Sequence, residues 1–256
     1  MLKLFIFNII LILIIVAFLI IIKKNVKDDK VKNIILLISS VITILFHYSS
    51  FIFVFISNGD SIKYLNDTPN LILPIYPCNV VMWSCLILGL TKNKNSKFAY
   101  FLVDYIFWFG IFSTLVGMFA NVDFINNPTL LDYEITKSIA AHGTLLFNVL
   151  LLALFGYVKI DFKRNMVNMV IAVLLMYVIG LYCNLVFEVL VSYERAYDIN
   201  SMFIIHSPFD GVEFLTYPII AVIALFLYFI LFTVAEVIVY KNGKRWFDSV
   251  ISKIKN

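Results

Sequence analysis

Charge is scarce in this chain of 256 residues, because only 14% of the residues are charged while 62% are hydrophobic. A soluble domain of this length carries more charge on its surface, so the composition excludes an ordinary soluble protein. Cysteine is also rare: there are three cysteines and no CxxC pair. This pattern predicts neither a disulfide framework nor a zinc site, and we expect the protein to need no metal or soluble cofactor.

Long apolar blocks make up most of the sequence. Each block has roughly 19 to 24 residues, which is enough for a helix to cross about 30 Å of hydrocarbon. The blocks are continuous rather than alternating, which favours helices over a β-barrel. The sequence therefore predicts an all-α, multi-pass membrane protein, with one seven-helix bundle over residues 1–240. Its helices lie at about 4–22, 34–57, 71–90, 98–120, 138–158, 167–190 and 217–240.

Basic residues are concentrated in alternate loops. One set of loops, together with the C-terminal tail, holds 16 of the 20 Lys and Arg residues, whereas Lys3, Lys63, Lys137 and Arg195 lie on the other side. The positive-inside rule then places the N-terminus outside the cell membrane and the C-terminus in the cytoplasm. Because the basic residues are dispersed around membrane spans, they do not indicate a nucleic-acid partner. The oligomeric state stays open.

Two segments outside the predicted spans have features of their own. The tail, residues 241–256, places apolar residues at helical spacing among lysines, which predicts a basic amphipathic helix at the cytoplasmic surface. The segment 191–216 is unusually long for a plain connector, and we expect it to fold over the outer end of the bundle. It contains His206 and Asp210.

Polar residues inside the predicted helices are the first candidates for function, since such residues are costly in hydrocarbon. Helix direction and a rise of about 1.5 Å per residue place six of them at a similar depth below the outer surface. A packing role is the alternative for each: a lone cysteine in a membrane helix fills space, and a lone histidine or asparagine bonds a neighbouring helix. The six residues are His47, Cys78, Asn79, His142, Asn184 and Glu188.

A thiol and an imidazole together provide the chemistry of acyl transfer. The thiolate of Cys78 attacks an ester, and His142 accepts the thiol proton as general base. Asn79 or Asn184 then donates a hydrogen bond to the oxyanion, while Glu188 and His47 are candidates for substrate binding. A spacing of 64 positions between the cysteine and the histidine is by itself a weak signal.

Several short motifs in order strengthen this interpretation. They are "LPIYPC" before the third block, "LTKNK" after it, "FWFG" in the fourth, and then His142, Asn184, Pro208 and Pro218. From about residue 34 to 240 this pattern resembles that of the YwaF-like integral membrane proteins. These are similar in turn to the animal transmembrane protein 164 lipid acyltransferases.

The resemblance implies that Cys78 is the nucleophile, His142 its partner, and a membrane phospholipid the substrate. The lysine- and isoleucine-rich chain is most similar to bacterial members of the family. It departs from the family pattern at Tyr76, two positions before the cysteine, where a histidine is usual.

Two other functions fit the same residues. A small-solute transporter or receptor-like protein would use the outer polar cluster as a binding site without catalysis. A purely structural membrane protein would use it for packing alone. The sequence has no pair of broken helices in corresponding halves, and this argues against a transporter.

Overall fold

Five of the seven predicted apolar blocks correspond to helices that begin before the block does, while α4 begins later and α9 begins at the predicted residue. A computed structural model gives the structure of residues 2–57, 59–119, 129–130, 132–208, 211–240 and 245–248. These residues contain helices and turns and no strand, which confirms the all-α prediction. The α-helices are α1 (Leu2–Asn25), α2 (Asp29–Ile56), α3 (Ser61–Asp67), α4 (Pro77–Leu90), α5 (Lys97–Phe119), α6 (Tyr133–Leu154), α7 (Phe162–Leu190), α8 (Tyr193–Ile199) and α9 (Tyr217–Val239).

Six of these helices are long and apolar enough to span a membrane: α1, α2, α5, α6, α7 and α9. This confirms a multi-pass helical membrane protein within the described residues. The third predicted block, 71–90, differs: its helix α4 begins only at Pro77 and has 14 residues. At about 1.5 Å per residue, α4 is roughly 21 Å long, shorter than about 30 Å of hydrocarbon.

Proline chemistry explains the late start of α4. The residue before a proline is disfavoured in the helical region, and Tyr76 before Pro77 is indeed extended, with φ −120° and ψ 152°. Proline is well accommodated at the first helical position, where its missing N–H would be unpaired in any case. A short 3₁₀ turn over Pro69–Leu71 precedes this extended stretch.

Aspartates explain why three other helices begin five residues before the predicted apolar blocks. Asp28, Asp132 and Asp161 each stand just before the first helical residue, and each side chain accepts a backbone N–H of the first turn. Such N-caps satisfy amide groups that have no partner within the helix. The polar caps thus carry α2, α6 and α7 past the limits of their apolar sequence.

The described chain forms two compact units, residues 1–158 and residues 159–256. In the first unit, α2 packs against α4 and α6, and α6 also packs against α1 and α5. Buried Asn148 joins α6 to α2: its Nδ2 donates to Thr43 Oγ1 at 2.9 Å, and its Oδ1 accepts from Ser39 Oγ. These bonds satisfy the amide within an otherwise apolar contact.

Helices α5 and α6 meet along two notches formed by glycine. A Cβ at Gly110 would lie 2.8 Å from Val149 Cγ2, and a Cβ at Gly117 would overlap the ring of His142. Gly117 comes seven residues after Gly110, whereas its partner His142 comes seven residues before Val149. The two helices therefore run antiparallel. The packing of His142 therefore depends on the absence of a side chain at position 117.

In the second unit, the segment after α8 folds back onto α7. Met202 packs over Gly180, where a Cβ would lie 2.8 Å from Met202 Cβ. Three residues of this segment that are not glycine have positive φ values: Asn200 (45°), Met202 (55°) and Phe203 (58°). Such conformations are strained for L-residues and persist only where the surroundings hold them.

A buried carboxylate near the C-terminal end of α9 binds two backbone N–H groups in this unit. Glu236 accepts the backbone N–H of Phe162 at 2.7 Å and that of Trp246 at 2.8 Å. The Trp246 ring stacks on Phe162 with a centroid distance of 4.6 Å. Apart from residues 245–248, the amphipathic tail predicted over 241–256 lies outside the described residues.

Candidate active site at the start of α4

The amide of Asn79 is the cap of α4. Its Oδ1 accepts the backbone N–H of Tyr76 at 3.1 Å, while its own backbone N–H donates to the carbonyl oxygen of Tyr76 at 3.0 Å. A side chain at the third helical position that reaches back in this way satisfies an amide before the helix begins. The position of Asn79 beside a proline and a cysteine therefore has a local structural reason.

Cys78 occupies the second position of α4, with its thiol half-buried and free. The backbone N–H groups of Cys78 and Asn79 face the sulfur. Burial opposes a thiolate here, and the partial positive charge at the N-terminal end of a helix offsets part of that cost. Cys85, by contrast, lies two turns further along α4 and is 1% exposed.

His47 of α2 lies beside Asn79. Its Nε2 is 3.2 Å from the carbonyl oxygen of Asn70 and 3.5 Å from Nδ2 of Asn79. Because a carbonyl oxygen only accepts, the shorter contact assigns the proton of the neutral ring to Nε2 and leaves the lone pair on Nδ1. The structure thus brings together two of the predicted site residues, His47 and Asn79. Asn79 directly follows Cys78 in the sequence, so His47 lies beside the residue next to the cysteine.

His142 of α6 has the opposite tautomer. Its Nδ1 lies 2.8 Å from the carbonyl oxygen of Ser138, so Nδ1 carries the proton and Nε2 holds the lone pair. His47 and His142 are near enough for an electrostatic interaction, and Lys137 interacts with His47 in the same way. In the described part of the chain, neither histidine makes a hydrogen bond to the Cys78 thiol.

A carboxylate network lies at the same end of α2 and α6. The Oε1 of Glu134 accepts the hydroxyl of Tyr64 at 2.9 Å, and its Oε2 accepts from Ser50 at 3.4 Å and from Lys137. The network joins α3 to both longer helices. Burial, together with the neighbouring carboxylate of Glu134, raises the pKa of Tyr64 to about 12, so its hydroxyl stays a neutral donor at ordinary pH.

Asn184 and Glu188 lie in the second unit, and among its described residues they do not share a hydrogen-bond partner. The amide of Asn184 brackets one residue of the folded-back segment: Oδ1 accepts the N–H of Ser201 at 2.8 Å, and Nδ2 faces its carbonyl oxygen at 3.3 Å. Glu188 is exposed. Asn184 therefore holds the segment that the sequence predicts to fold over the outer end.

His206 is held within the same segment. Its two ring nitrogens lie 2.9 Å from the carbonyl oxygen of Ser207 and 3.0 Å from that of Tyr197. The amide of Asn200 also accepts the backbone N–H of Ile205 and donates to the carbonyl oxygen of His206. Asp210 lies outside the described residues.

Sequence reasoning missed the residues that support the histidines. Ser138 stands four residues before His142 on the same helix face, which was a readable signal. The glycine at position 117 is visible in the sequence, but the side chain that packs against it could not be predicted, because His142 comes from another helix. The carbonyl of Asn70 had no signal in the sequence, since any residue type provides one.

Replacing Gly117 with alanine should destabilise the protein through the His142 ring. We expect the overlap to lower the free energy of unfolding by about 1–3 kcal/mol, a typical overpacking cost. The measurement is a double-mutant cycle of G117A and H142A by thermal unfolding in detergent, with a coupling energy of about 0.5–3 kcal/mol. The cycle of G110A with H142A is the control, because Gly110 packs against Val149. Equal coupling in both cycles would contradict the proposed contact.

Comparison with known proteins places these residues in a family. The model of the TMEM164 family matches residues 2–235, which includes α1 to α8 and most of α9. No curated protein and no solved structure matches the chain.

Proposed function

Since the chain is a membrane protein that belongs to the TMEM164 family, we propose that it is a cysteine-dependent phospholipid acyltransferase or lipid-ester hydrolase. The observation that carries the proposal is the place of Cys78 at the N-terminus of α4, directly before an asparagine that faces His47. A nucleophile there has backbone N–H groups beside it, and a second set of donors lies one residue away.

The proposed first half-reaction forms a thioester. The Cys78 thiol gives its proton to Nε2 of His142, and the sulfur attacks the carbonyl carbon of a phospholipid ester. The backbone N–H of Cys78 and the side-chain amide of Asn79 stabilise the oxyanion. The C–O bond then breaks, and the leaving alkoxide takes the proton from the His142 imidazolium, which releases a lysophospholipid.

The second half-reaction restores the thiol. A lipid hydroxyl, in a transferase, or water, in a hydrolase, loses its proton to His142 and attacks the thioester carbon. The C–S bond breaks, and the thiolate takes back the proton. His142 must rotate away from Gly117 or the substrate must bridge the gap, since catalytic hydrogen bonds are often completed only when substrate is bound.

The proposal includes seven membrane crossings of the cell membrane, with the N-terminus outside. Support comes from the concentration of 16 of the 20 basic residues in alternate loops, including Lys92 and Lys94 after α4. In this arrangement α4 crosses together with the extended residues before it. The site at its N-terminal end then faces the outer leaflet.

The experiment that tests the function is a search for the acyl-enzyme. Purified protein is incubated with phosphatidylcholine carrying an isotopically labelled acyl chain, and peptides are mapped by mass spectrometry. We expect a hydroxylamine-sensitive label on Cys78 and none on Cys85 or Cys183. A lysophospholipid should discharge the label faster than water if the protein is a transferase. Turnover of the lipid without any label on Cys78 would refute the covalent mechanism.

A further inference from the structure

An apolar groove lies beside the contact between α1 and α6, at the middle of their length. The two helices touch near one end through Leu4, Ile135 and Ile139, near the other end through Leu19 and Leu151, and between these points through Leu11, which packs against Gly143. The groove beside this contact has a volume of about 270 Å³. Its principal walls come from α1 (Leu11, Ile14, Ile15 and Phe18) and α6 (Ala140, Gly143, Thr144 and Phe147), with Phe46 of α2 at the side.

Both helices present the groove with the same spacing. The lining residues of α1 and of α6 each follow the pattern i, i+3, i+4, i+7, so each set forms one continuous helix face. On α6 the middle of that face is Ala140 and Gly143: Leu11 fills the notch at Gly143, and the small side chain of Ala140 leaves room beside it. The hydroxyl of Thr144 bonds the carbonyl oxygen of Ala140 at 2.9 Å, which keeps the wall apolar.

The size of the groove selects its occupant. Seven residues of rise, from Leu11 to Phe18, give the groove a length of about 10 Å, and its volume is about 270 Å³. A dry apolar cavity of about 150 Å³ already takes benzene, so the groove has room for a segment of a single hydrocarbon chain.

A cation stands at the end of the groove nearest the candidate site. Lys137 precedes Ala140 by three residues and Thr144 by seven, so it lies above the groove on the same side of α6. Its ammonium group has three N–H donors, one of which serves Glu134. Lys137 also interacts electrostatically with His47, which lies beside Asn79, so this end of the groove is the end nearer to the polar cluster.

We propose that this groove binds one acyl chain of a phospholipid, with the lipid phosphate at Lys137. The apolar wall takes the chain, the ammonium takes the phosphate, and the ester region between them lies towards His47. The inference rests on the proposed function for its substrate, because it says where the acyl donor binds. The binding site itself requires no chemistry at Cys78.

Photolabelling tests the groove. The full-length protein in nanodiscs is irradiated with a phosphatidylcholine that carries a diazirine in one acyl chain, and the adducts are mapped. We expect adducts on residues 11–18 and 140–147. The variants A140F and T144F should each lower that labelling by about tenfold, because the added ring fills the groove. L174F is the control, since Leu174 is 60% exposed on α7 outside the groove.

The headgroup contact is tested separately. K137Q should lower labelling by the phospholipid but not by a diazirine-bearing diacylglycerol, which lacks the phosphate; exposed Lys63 provides the control K63Q. Labelling spread evenly over the exposed helix faces, unchanged in A140F and T144F, would overturn the proposal, and so would a crosslink between two copies through residues 140–147.

Failure of the groove and failure of the enzyme give different results. If C78A keeps the groove adducts while no thioester forms in the wild-type protein, the binding site stands and the enzymatic function falls. If the thioester forms on Cys78 but the groove takes no label, the function stands and this site is wrong.

Discussion

Replacing Cys78 with alanine is expected to abolish acyl transfer while the protein still folds. The side chain is half-buried at a helix start, and it makes no hydrogen bond to either histidine within the described chain, so its loss removes little packing. Loss of a covalent nucleophile should lower turnover by about 10³-fold or more. The measurement is release of labelled lysophospholipid, with thermal unfolding to show that the variant is folded.

Cys85 provides a matched control for this prediction. It lies seven residues after Cys78 on the same helix, has the same chemistry, and is buried. C85A should keep turnover within a few-fold, although it leaves a small cavity. Equal losses in C78A and C85A would show a packing effect on α4, and solute flux that is unchanged in C78A would favour a transporter.

The second large effect is expected at His142. H142Q should lower turnover by about 10²- to 10⁴-fold, the usual contribution of a general base. The reason is the tautomer: Nδ1–H donates to Ser138, which leaves Nε2 free to take the thiol proton. Glutamine keeps a polar group of similar reach but cannot take up a proton at neutral pH.

His47 separates proton transfer from positioning. H47Q should cost only about five- to tenfold, the size of the one lost hydrogen bond to the carbonyl oxygen of Asn70. The two variants are compared for thioester formation on Cys78 in a single turnover. A larger loss in H47Q than in H142Q would show that Nδ1 of His47 is the general base and that His142 only positions it.

The packing of the His142 ring against Gly117 holds the proposed general base in place. A ring placed in a glycine notch is fixed by packing, and its Nδ1 is fixed by a carbonyl oxygen one turn back. Because the ring is restrained in this way, His142 leaves the notch, or the substrate reaches it there, only when substrate is bound. The same restraint explains why we expect the strong coupling between Gly117 and His142.

The sequence by itself determined the all-α class, six of the seven predicted long apolar helices and the polar residues worth testing, because hydrophobic runs and intramembrane polar groups are local signals. Aspartate caps and the Pro74–Pro77 stretch also contained the true helix starts, since capping and proline sterics act within a few residues. Only the tertiary structure decided which polar groups meet. His47 finds Asn79 and a backbone carbonyl from another segment, His142 finds Gly117, and Asn184 brackets Ser201, because contacts between distant segments depend on how helices pack and not on any local pattern.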